Sequence, residues 1–551
     1  MFHRPLHVLL SFLPFVALIG CQQKHGTETP RVTSFAEFSA LEEKGGTGLV
    51  APESPDCSGK ALTGLTDGLS CKDLRREFRY VVYVGKQIYV YWEMKKAETA
   101  IDYDKLAVEL ESKITDQTSL QQYFRDVLRP WAASLHDGHV NAMTGDDLSK
   151  LDLVTTSIRL RVFAPGTDHE KIIVATSKVP QVPVKAELLK INGEPIAAVM
   201  ERYERLSSGS TKAMRRSSAG ALLLDRIGAE NANDPLNVEI QAPGETTTKT
   251  IALDRVIELN LPPEKTESTA AKEPTGEDKV QARILPEQIG YLKIDGFIGS
   301  KLPVIFDRLM SQLKNTKGLI IDLRANGGGD LSGDHILRWL TSKEIVRFQI
   351  SPTTADFLLS QRPYYFVLPS GTEPGFFGWT DKTVKPTSAS EGSYANKPVV
   401  ALIGPRCFSA CDTFSAALKA NGLAKFVGEN TAGGTGTPLV FDLPVSEFKF
   451  RYSVVRGKTA NGAWIEGLGT TPDVPLEYSV NDLSKEPYAD SQALKAIEIL
   501  RASTGEGDQK PGPVTPSSPG ISLTNRHQSD DDISALKLEL INLQLSERFH
   551  E

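Results

Sequence analysis

Basic clusters, metal-ligand patterns and internal repeats are scarce in this sequence of 551 residues. The net charge is −7 and no dense run of lysine and arginine occurs, which argues against a nucleic-acid partner. The nine histidines are not spaced as ligand pairs and the five cysteines form no CxxC pair, so neither a metal nor another cofactor is predicted. The length predicts two or three domains, with a hydrophobic fraction of 40% that is ordinary for globular proteins.

The first twenty residues predict a signal peptide (1–20). Arg4 precedes an apolar run from Leu6 to Ile19, which is too short for a membrane-spanning helix. Residues 18–21 (Leu-Ile-Gly-Cys) match a bacterial lipoprotein cleavage box, so Cys21 is the predicted lipidation site. This predicts a lipid-anchored protein of the cell envelope, and Gln22 favours the outer membrane by resemblance to other lipoproteins. The alternative is an ordinary secretory signal that ends near a cysteine.

Composition and periodicity divide the rest of the chain. Residues 21–70 are rich in Gly, Thr, Glu and Pro and predict a tether. Residues 71–152 predict a helical N-terminal subdomain, because apolar residues recur at helical spacing and Ser119 with Gln122 forms a helix-start signal. Residues 153–258 alternate like strands, 259–280 form a polar linker, 281–502 alternate strand with helix, and 503–551 predict a low-complexity tail with one terminal helix.

Three distant segments carry the groups that a serine hydrolase needs. Segment 135–139 (Leu-His-Asp-Gly-His) offers a base, 322–329 (Asp-Leu-Arg-Ala-Asn-Gly-Gly-Gly) offers a glycine turn with backbone N–H groups, and 407–412 (Cys-Phe-Ser-Ala-Cys-Asp) offers a serine between small residues. A nucleophile, a base that takes its proton and donors for the oxyanion are the parts of that chemistry.

Together with their flanks, these segments resemble peptidase family S41, the C-terminal-processing and tricorn-like serine peptidases. The resemblance implies a multidomain α/β protein with a ClpP/crotonase-like peptidase core over 281–502. It also draws attention to 186–196, where a strand, an Asn-Gly turn and a second strand look like part of a PDZ domain. The middle region is therefore predicted to be a PDZ-like α+β domain, although no carboxylate-binding glycine loop is evident.

The family's nucleophile lies three residues before an acidic residue, which places it on Ser409. The alternative role for Ser409 is a helix N-cap. Ser409 follows a predicted strand and precedes a helix, so the N–H of Ala410 is a predicted oxyanion donor. The second donor is predicted in the glycine turn, from Gly328 or Gly327, while Asp322 and Arg324 hold the strand end.

Two branches of the family differ in the base. One branch places a lysine after Gly-Glu-x-Thr-x-Gly, but here the residue that follows 428–433 is Gly434. The tricorn-like branch uses histidine, and His139 matches its base-bearing position, with His136 and His335 as alternatives. Glu466, in a stretch resembling the family's Glu-Gly-x-Gly-x-x-Pro-Asp, is predicted to orient the base as the third member of a triad. A polar turn residue is the alternative for Glu466.

An oxidising compartment makes a disulfide plausible between Cys57 and Cys71. Cys407 and Cys411 are only four residues apart near a helix start, which is awkward for a disulfide and favours two small buried side chains.

The sequence predicts a serine endopeptidase that acts on polypeptide substrates. The alternatives are an inactive peptidase fold that binds peptides or hydrophobic ligands, and a PDZ scaffold that recruits chain termini by strand addition.

Overall fold

The computed structural model describes residues 34–47, 56–59, 69–144, 153–224, 226–227, 236–254, 256–258, 275–361, 371, 373–388, 391–503 and 521–522. The predicted signal peptide, Cys21, most of the predicted linker and most of the predicted tail lie outside the described residues. Within the described ranges, no helix is both long and apolar enough to cross a membrane.

Helices dominate the N-terminal region, as the periodicity predicts. Ser119 and Gln122 form the expected capping box, since each side chain accepts a hydrogen bond from the other's backbone N–H. The helix that they begin widens after Tyr123 into a π-helical stretch. The helices are Phe35–Glu43, Cys71–Ile88, Trp92–Thr99, Tyr103–Ser112, Leu120–Tyr123, the π-helical Phe124–Leu128 and Arg129–Ser134.

The middle region contains a six-stranded antiparallel sheet and two helices. Asn192 and Gly193 have φ of 51° and 80°, the left-handed values of a tight hairpin turn, so the predicted Asn-Gly turn is present. The PDZ-like identity of the region stays a prediction. Its elements are strands Leu153–Thr155, Ile158–Phe163, Lys171–Ser177, Glu187–Ile191, Glu194–Pro195, Arg226–Ile227, Leu236–Gln241, Thr248–Leu253 and Val256–Glu258, with helices Ile196–Glu204 and Lys212–Leu222.

A seven-stranded sheet forms the centre of the C-terminal region. Its strands lie in the order Val474–Pro475, Lys425–Gly428, Val399–Ile403, Gly318–Asp322, Ile289–Ile294, Val280–Leu285 and Ile521–Ser522. The first five are mutually parallel, and every residue of Gly318–Asp322 and Val399–Ile403 is buried. Helices Leu302–Leu313, Asp334–Leu340, Ala410–Ala420 and Ser491–Ser503 accompany the sheet. The predicted α/β core is confirmed.

Smaller sheets join the regions to each other. Strand Asn141–Met143 pairs with Lys449–Ser453, so the N-terminal region contributes an edge strand to a sheet of the C-terminal region. Trp131 donates a hydrogen bond to the Tyr452 hydroxyl at 2.8 Å inside one shared hydrophobic core. The remaining elements are strands Pro438–Asp442, Ile345–Pro352, Thr380–Val384 and Val455–Thr459 and helix Asp356–Gln361.

Parallel packing brings the glycine turn and Ser409 to one place. Strands Gly318–Asp322 and Val399–Ile403 are adjacent and parallel, so the loops that follow them leave the same edge of the sheet. The first loop contains 324–329 and the second ends at Ser409. Asp322 and Arg324 form an ion pair, and Arg324 also binds Asp490, so both residues hold the strand end as predicted.

Candidate active site

Ser409 occupies a sharp turn between strand Val399–Ile403 and helix Ala410–Ala420, which we call the nucleophile helix. Its φ of 59° and ψ of −117° lie outside the regions that non-glycine residues usually adopt. Although Ser409 stands at the N-cap position, its side chain makes no capping hydrogen bond. The hydroxyl is therefore available for another partner.

That partner is His139. Its Nε2 lies 2.8 Å from Ser409 Oγ, although the two residues are 270 positions apart in the sequence. The ring also packs on Phe408, with the ring centroids 4.4 Å apart. His139 is held in place by strand Asn141–Met143, which begins two residues later. The structure thus brings together the predicted nucleophile and the predicted base.

The environment of His139 favours the neutral imidazole. The residue is 4% exposed, and burial lowers its pKa well below the usual value, with a further contribution from the charge of Arg451. A neutral ring can accept the serine proton at Nε2 if its own proton is on Nδ1. Nδ1 has no hydrogen-bond partner among the described residues.

Asp137 is the carboxylate found nearest to Nδ1. Its Oδ1 lies 4.0 Å from Nδ1 and accepts the backbone N–H of His139 at 2.7 Å, while Oδ2 accepts the Ser453 hydroxyl at 2.7 Å. Burial raises the pKa of Asp137, and the charge of Lys95 opposes that shift. Asp137 thus fixes the backbone of residues 136–139, which we call the histidine turn, without a direct hydrogen bond to the ring.

Glu466 is predicted to contact His139, but the structure places its carboxylate on other partners and so corrects that prediction. Glu466 Oε2 accepts the backbone N–H of Thr435 at 3.0 Å, and Oε1 lies 3.3 Å from Nζ of Lys95. Both side chains are fully buried, and Glu466 is held beside Lys95 instead of beside His139. Burial, followed by the charge of Asp137, raises the pKa of Glu466 to about 8, against the lowering effect of Lys95. No motif in the sequence marks Lys95.

A segment of the middle region also reaches this cluster. The Ser210 hydroxyl accepts the N–H of Gly138 at 3.1 Å and hydrogen-bonds the Glu466 carboxylate. Ser210 is 1% exposed and lies just before helix Lys212–Leu222. Ser210 therefore links the histidine turn to Glu466. No motif in the sequence marks it.

The predicted oxyanion donors differ in their availability. The Ala410 N–H, at the start of the nucleophile helix, has no described hydrogen-bond acceptor. The Gly328 N–H instead donates to Asn326 Oδ1 at 2.9 Å, which corrects its assignment as a free donor in this structure. The N–H of Gly327, the other predicted candidate, has no described acceptor.

Gly328 nevertheless packs directly against the nucleophile. A Cβ on Gly328 would lie 2.8 Å from Ser409 Cβ and 2.7 Å from the Phe408 oxygen, and φ is 105°. We therefore expect Gly328→Ala to lower peptide hydrolysis about 10²-fold, because even a displacement of about 1 Å misaligns reacting groups. Turnover of a fluorogenic peptide by the folded variant measures this effect.

Gly404→Ala is the matched control. Gly404 lies in the loop between strand Val399–Ile403 and Ser409, and a Cβ there meets no atom within 4 Å. Its activity should stay near the wild-type value, with an unchanged melting temperature. Equal losses of activity in the two variants would contradict the close packing of Gly328 on the turn at Ser409, which we call the nucleophile turn.

Asp412 anchors the nucleophile turn from inside the protein. Its carboxylate accepts the N–H groups of Gly433 at 3.0 Å and Gly434 at 2.8 Å, and also bonds Thr431 and the Ser409 backbone. Burial raises the pKa of Asp412 to about 7, and these donors oppose the rise. In the sequence, Asp412 marks only the position of Ser409, and its structural role is visible only in the fold.

The other histidine candidates lie elsewhere. His335 Nδ1 is 3.0 Å from Asp307, and His136 Nδ1 is 3.9 Å from Glu98. Neither has a described contact with Ser409. Burial lowers the pKa of His136 to about 4.

Both cysteine pairs form disulfides. Cys57 and Cys71 are joined as the sequence suggested, whereas the bond between Cys407 and Cys411 corrects the expectation of two separate side chains. Cys407 precedes the nucleophile helix, and the positive φ of Ser409 turns the chain back. The two Cα atoms are consequently 5.3 Å apart, within the usual range for a disulfide.

Ser409 lies in a strained strand-to-helix turn, contacts a buried histidine, and is next to backbone N–H groups that have no described acceptor. These features define a serine-hydrolase type of site on an α/β core. Residues 288–476 match the model of peptidase family S41. These residues therefore form a domain of peptidase family S41, a family of serine-type peptidases.

Two curated relatives match shorter segments. A protein of Chlamydia trachomatis serovar D is 32% identical over 98 residues, or 17% of this chain and 16% of the relative. The tricorn protease of Thermoplasma acidophilum is 28% identical over 236 residues, or 40% of this chain and 18% of the relative. The matches thus span less than a fifth of the length of either relative.

The fold also occurs in a solved structure. Mature CPAF matches with a TM-score of 0.63 at 16% identity, covering 79% of this chain and 98% of that chain. At this identity the likeness concerns the fold, which extends over most of the described residues.

Proposed function

We propose that the chain is an envelope-anchored serine endopeptidase. The 2.8 Å contact between His139 Nε2 and Ser409 Oγ carries this proposal. Ser409 Oγ attacks the peptide carbonyl carbon while its proton passes to Nε2. The oxyanion accepts the Ala410 N–H and an N–H of the glycine turn, from Gly327 or from Gly328 once Asn326 releases it. His139 then protonates the departing amine, and water hydrolyses the acyl-enzyme.

Buried charges support the protonated state of His139 during the reaction. Asp137 Oδ1 lies 4.0 Å from Nδ1, and Glu466 belongs to the same cluster through its electrostatic interaction with Asp137. A carboxylate charge near the ring stabilises the imidazolium that forms when Ser409 loses its proton. Lys95 favours the ionised form of both acids. Glu466 thus interacts with Asp137 and Lys95, without a direct bond to the histidine.

Hydrolysis of unfolded casein or of an internally quenched peptide tests this function. A fluorophosphonate should inhibit the cleavage, because it forms a covalent bond with an activated serine. Absence of cleavage across a broad peptide library, together with absence of fluorophosphonate reaction, would favour an inactive peptidase fold that binds ligands.

The envelope anchor has its own test. Cys21 ends a lipoprotein cleavage box, so the mature chain is expected to fractionate with membranes. Cys21→Ser should block lipidation and either release the protein or leave the precursor uncleaved. Membrane fractionation, immunoblotting and the mass of the mature N-terminus measure this. Unchanged processing and unchanged membrane fractionation of the variant would contradict the proposed lipid anchor.

A further inference from the structure

The disulfide between Cys407 and Cys411 brackets the nucleophile. Ser409 is the middle one of the three residues that it encloses, and both cysteines are 0% exposed. Cys411 Sγ lies 3.9 Å from the Leu323 carbonyl oxygen, next to the strand that leads into the glycine turn. The disulfide therefore lies in the hydrophobic core, next to the contact between Ser409 and His139.

The enclosed residues supply three parts of the proposed machinery. Phe408 packs on the His139 ring, Ser409 contacts Nε2, and Ala410 presents an N–H that has no described acceptor. Small changes in the path of this short segment would move all three parts at once. The disulfide therefore constrains the same short segment that carries the reacting groups.

The conformation of Ser409 requires external restraint. Its φ of 59° is unfavourable for a serine, and such residues persist where the surroundings over-determine them. Two hydrogen bonds provide part of that restraint. The Phe408 N–H donates to the backbone carbonyl of Asn326 at 3.1 Å, and the Ser409 backbone interacts with the Asp412 carboxylate. The disulfide provides a covalent restraint across the turn itself.

We propose that the Cys407–Cys411 disulfide positions Ser409 and its oxyanion donor for the reaction, so that full turnover requires this bond to be oxidised. The inference rests on the proposed peptidase function. Reduction breaks the S–S bond with two electrons and two protons and yields two thiols. With a phosphine as reductant, the phosphine becomes its oxide and takes its oxygen from water.

The second disulfide provides a matched control. Cys57–Cys71 has a sequence separation of 14, compared with 4 for Cys407–Cys411, so chain entropy predicts a larger contribution to stability from the remote bond. The remote bond lies at the start of helix Cys71–Ile88 and brackets no residue of the site. The two disulfides should therefore separate an effect on turnover from an effect on stability.

The experiment compares the double variants Cys407→Ala/Cys411→Ala and Cys57→Ala/Cys71→Ala. The first should lower kcat about 10- to 100-fold with little change in KM, and slow fluorophosphonate labelling in parallel, because the reacting groups lose alignment. The second should keep the wild-type kcat and show the larger decrease in melting temperature. A Cys407→Ser/Cys411→Ser variant serves if the alanine pair does not fold.

Reduction of the wild-type protein provides an independent measurement. Treatment with a phosphine, with opening of Cys407–Cys411 verified by alkylation and mass spectrometry, should lower kcat to the level of the first variant. The variant itself should not respond. Wild-type turnover in the folded first variant, or in protein whose Cys407–Cys411 bond is verified as open, overturns the positioning role. Oxidised wild-type protein that neither cleaves peptides nor reacts with the probe overturns the proposed function instead.

Discussion

Replacing Ser409 with alanine is expected to reduce peptide hydrolysis by about 10⁴-fold or more, the scale seen when a catalytic serine is lost. The substitution removes one hydroxyl from a half-buried side chain whose described partner is His139. The melting temperature and the affinity for a peptide substrate should therefore remain near their wild-type values. Initial rates with an internally quenched peptide, thermal melts and a peptide-binding isotherm measure the three quantities.

Ser134→Ala is a suitable control for this variant. Its hydroxyl donates to the Trp131 carbonyl in the helix just before the histidine turn. The control tests whether loss of any nearby serine hydroxyl disturbs the site, and it should retain activity. Wild-type activity in purified Ser409→Ala protein would eliminate the serine-peptidase mechanism.

His139→Ala should lower kcat/KM by about 10²- to 10⁴-fold, because the serine loses the group that accepts its proton. His335→Ala provides the matched comparison, since His335 binds Asp307 and has no described contact with Ser409. His136→Asn tests the adjacent candidate. Asparagine suits this position because His136 has a φ of 48°, which asparagine tolerates better than alanine does.

Steady-state kinetics of the three variants, with circular dichroism to verify folding, identify the base. We expect a large loss of kcat/KM in His139→Ala alone. Retained activity in His139→Ala combined with a large loss in His335→Ala or His136→Asn would assign the base to a different histidine.

The sequence predicted the parts of the site that depend on local motifs. The immediate sequence neighbours of Ser409 and of His139 indicate the role of each residue. The fold then places the two side chains in contact across 270 residues. The strand-to-helix position of Ser409 was also predictable, because buried apolar strands and amphipathic helices have different periods. The distance itself could be known only from the packed structure.

The parts that the sequence did not predict depend on individual buried contacts. Glu466 lies beside Lys95, which is 371 positions earlier in the chain, and no spacing rule indicates that ion pair. Likewise, the Gly328 N–H is engaged by Asn326, only two residues earlier, because the turn folds the side chain back on the backbone. Side-chain direction of this kind is not encoded in a motif.

The Cys407–Cys411 bond shows a different limit of sequence reasoning. A four-residue spacing is awkward for a disulfide when both cysteines lie in regular helix, but Cys407 lies outside the nucleophile helix. One positive φ at Ser409 changes the distance between them. Such a value for a serine is uncommon, so the sequence alone favoured the opposite conclusion.

Covalent labelling of Ser409 by a fluorophosphonate is the most direct test of the account, because it reports the activated nucleophile without knowledge of the natural substrate. Purified wild-type protein should take up one label, and mass spectrometry of the digested protein should place it on Ser409. Labelling should disappear in Ser409→Ala and slow strongly in His139→Ala. An unlabelled wild-type protein, or a label on a different serine, would contradict the assignment of Ser409 as the nucleophile.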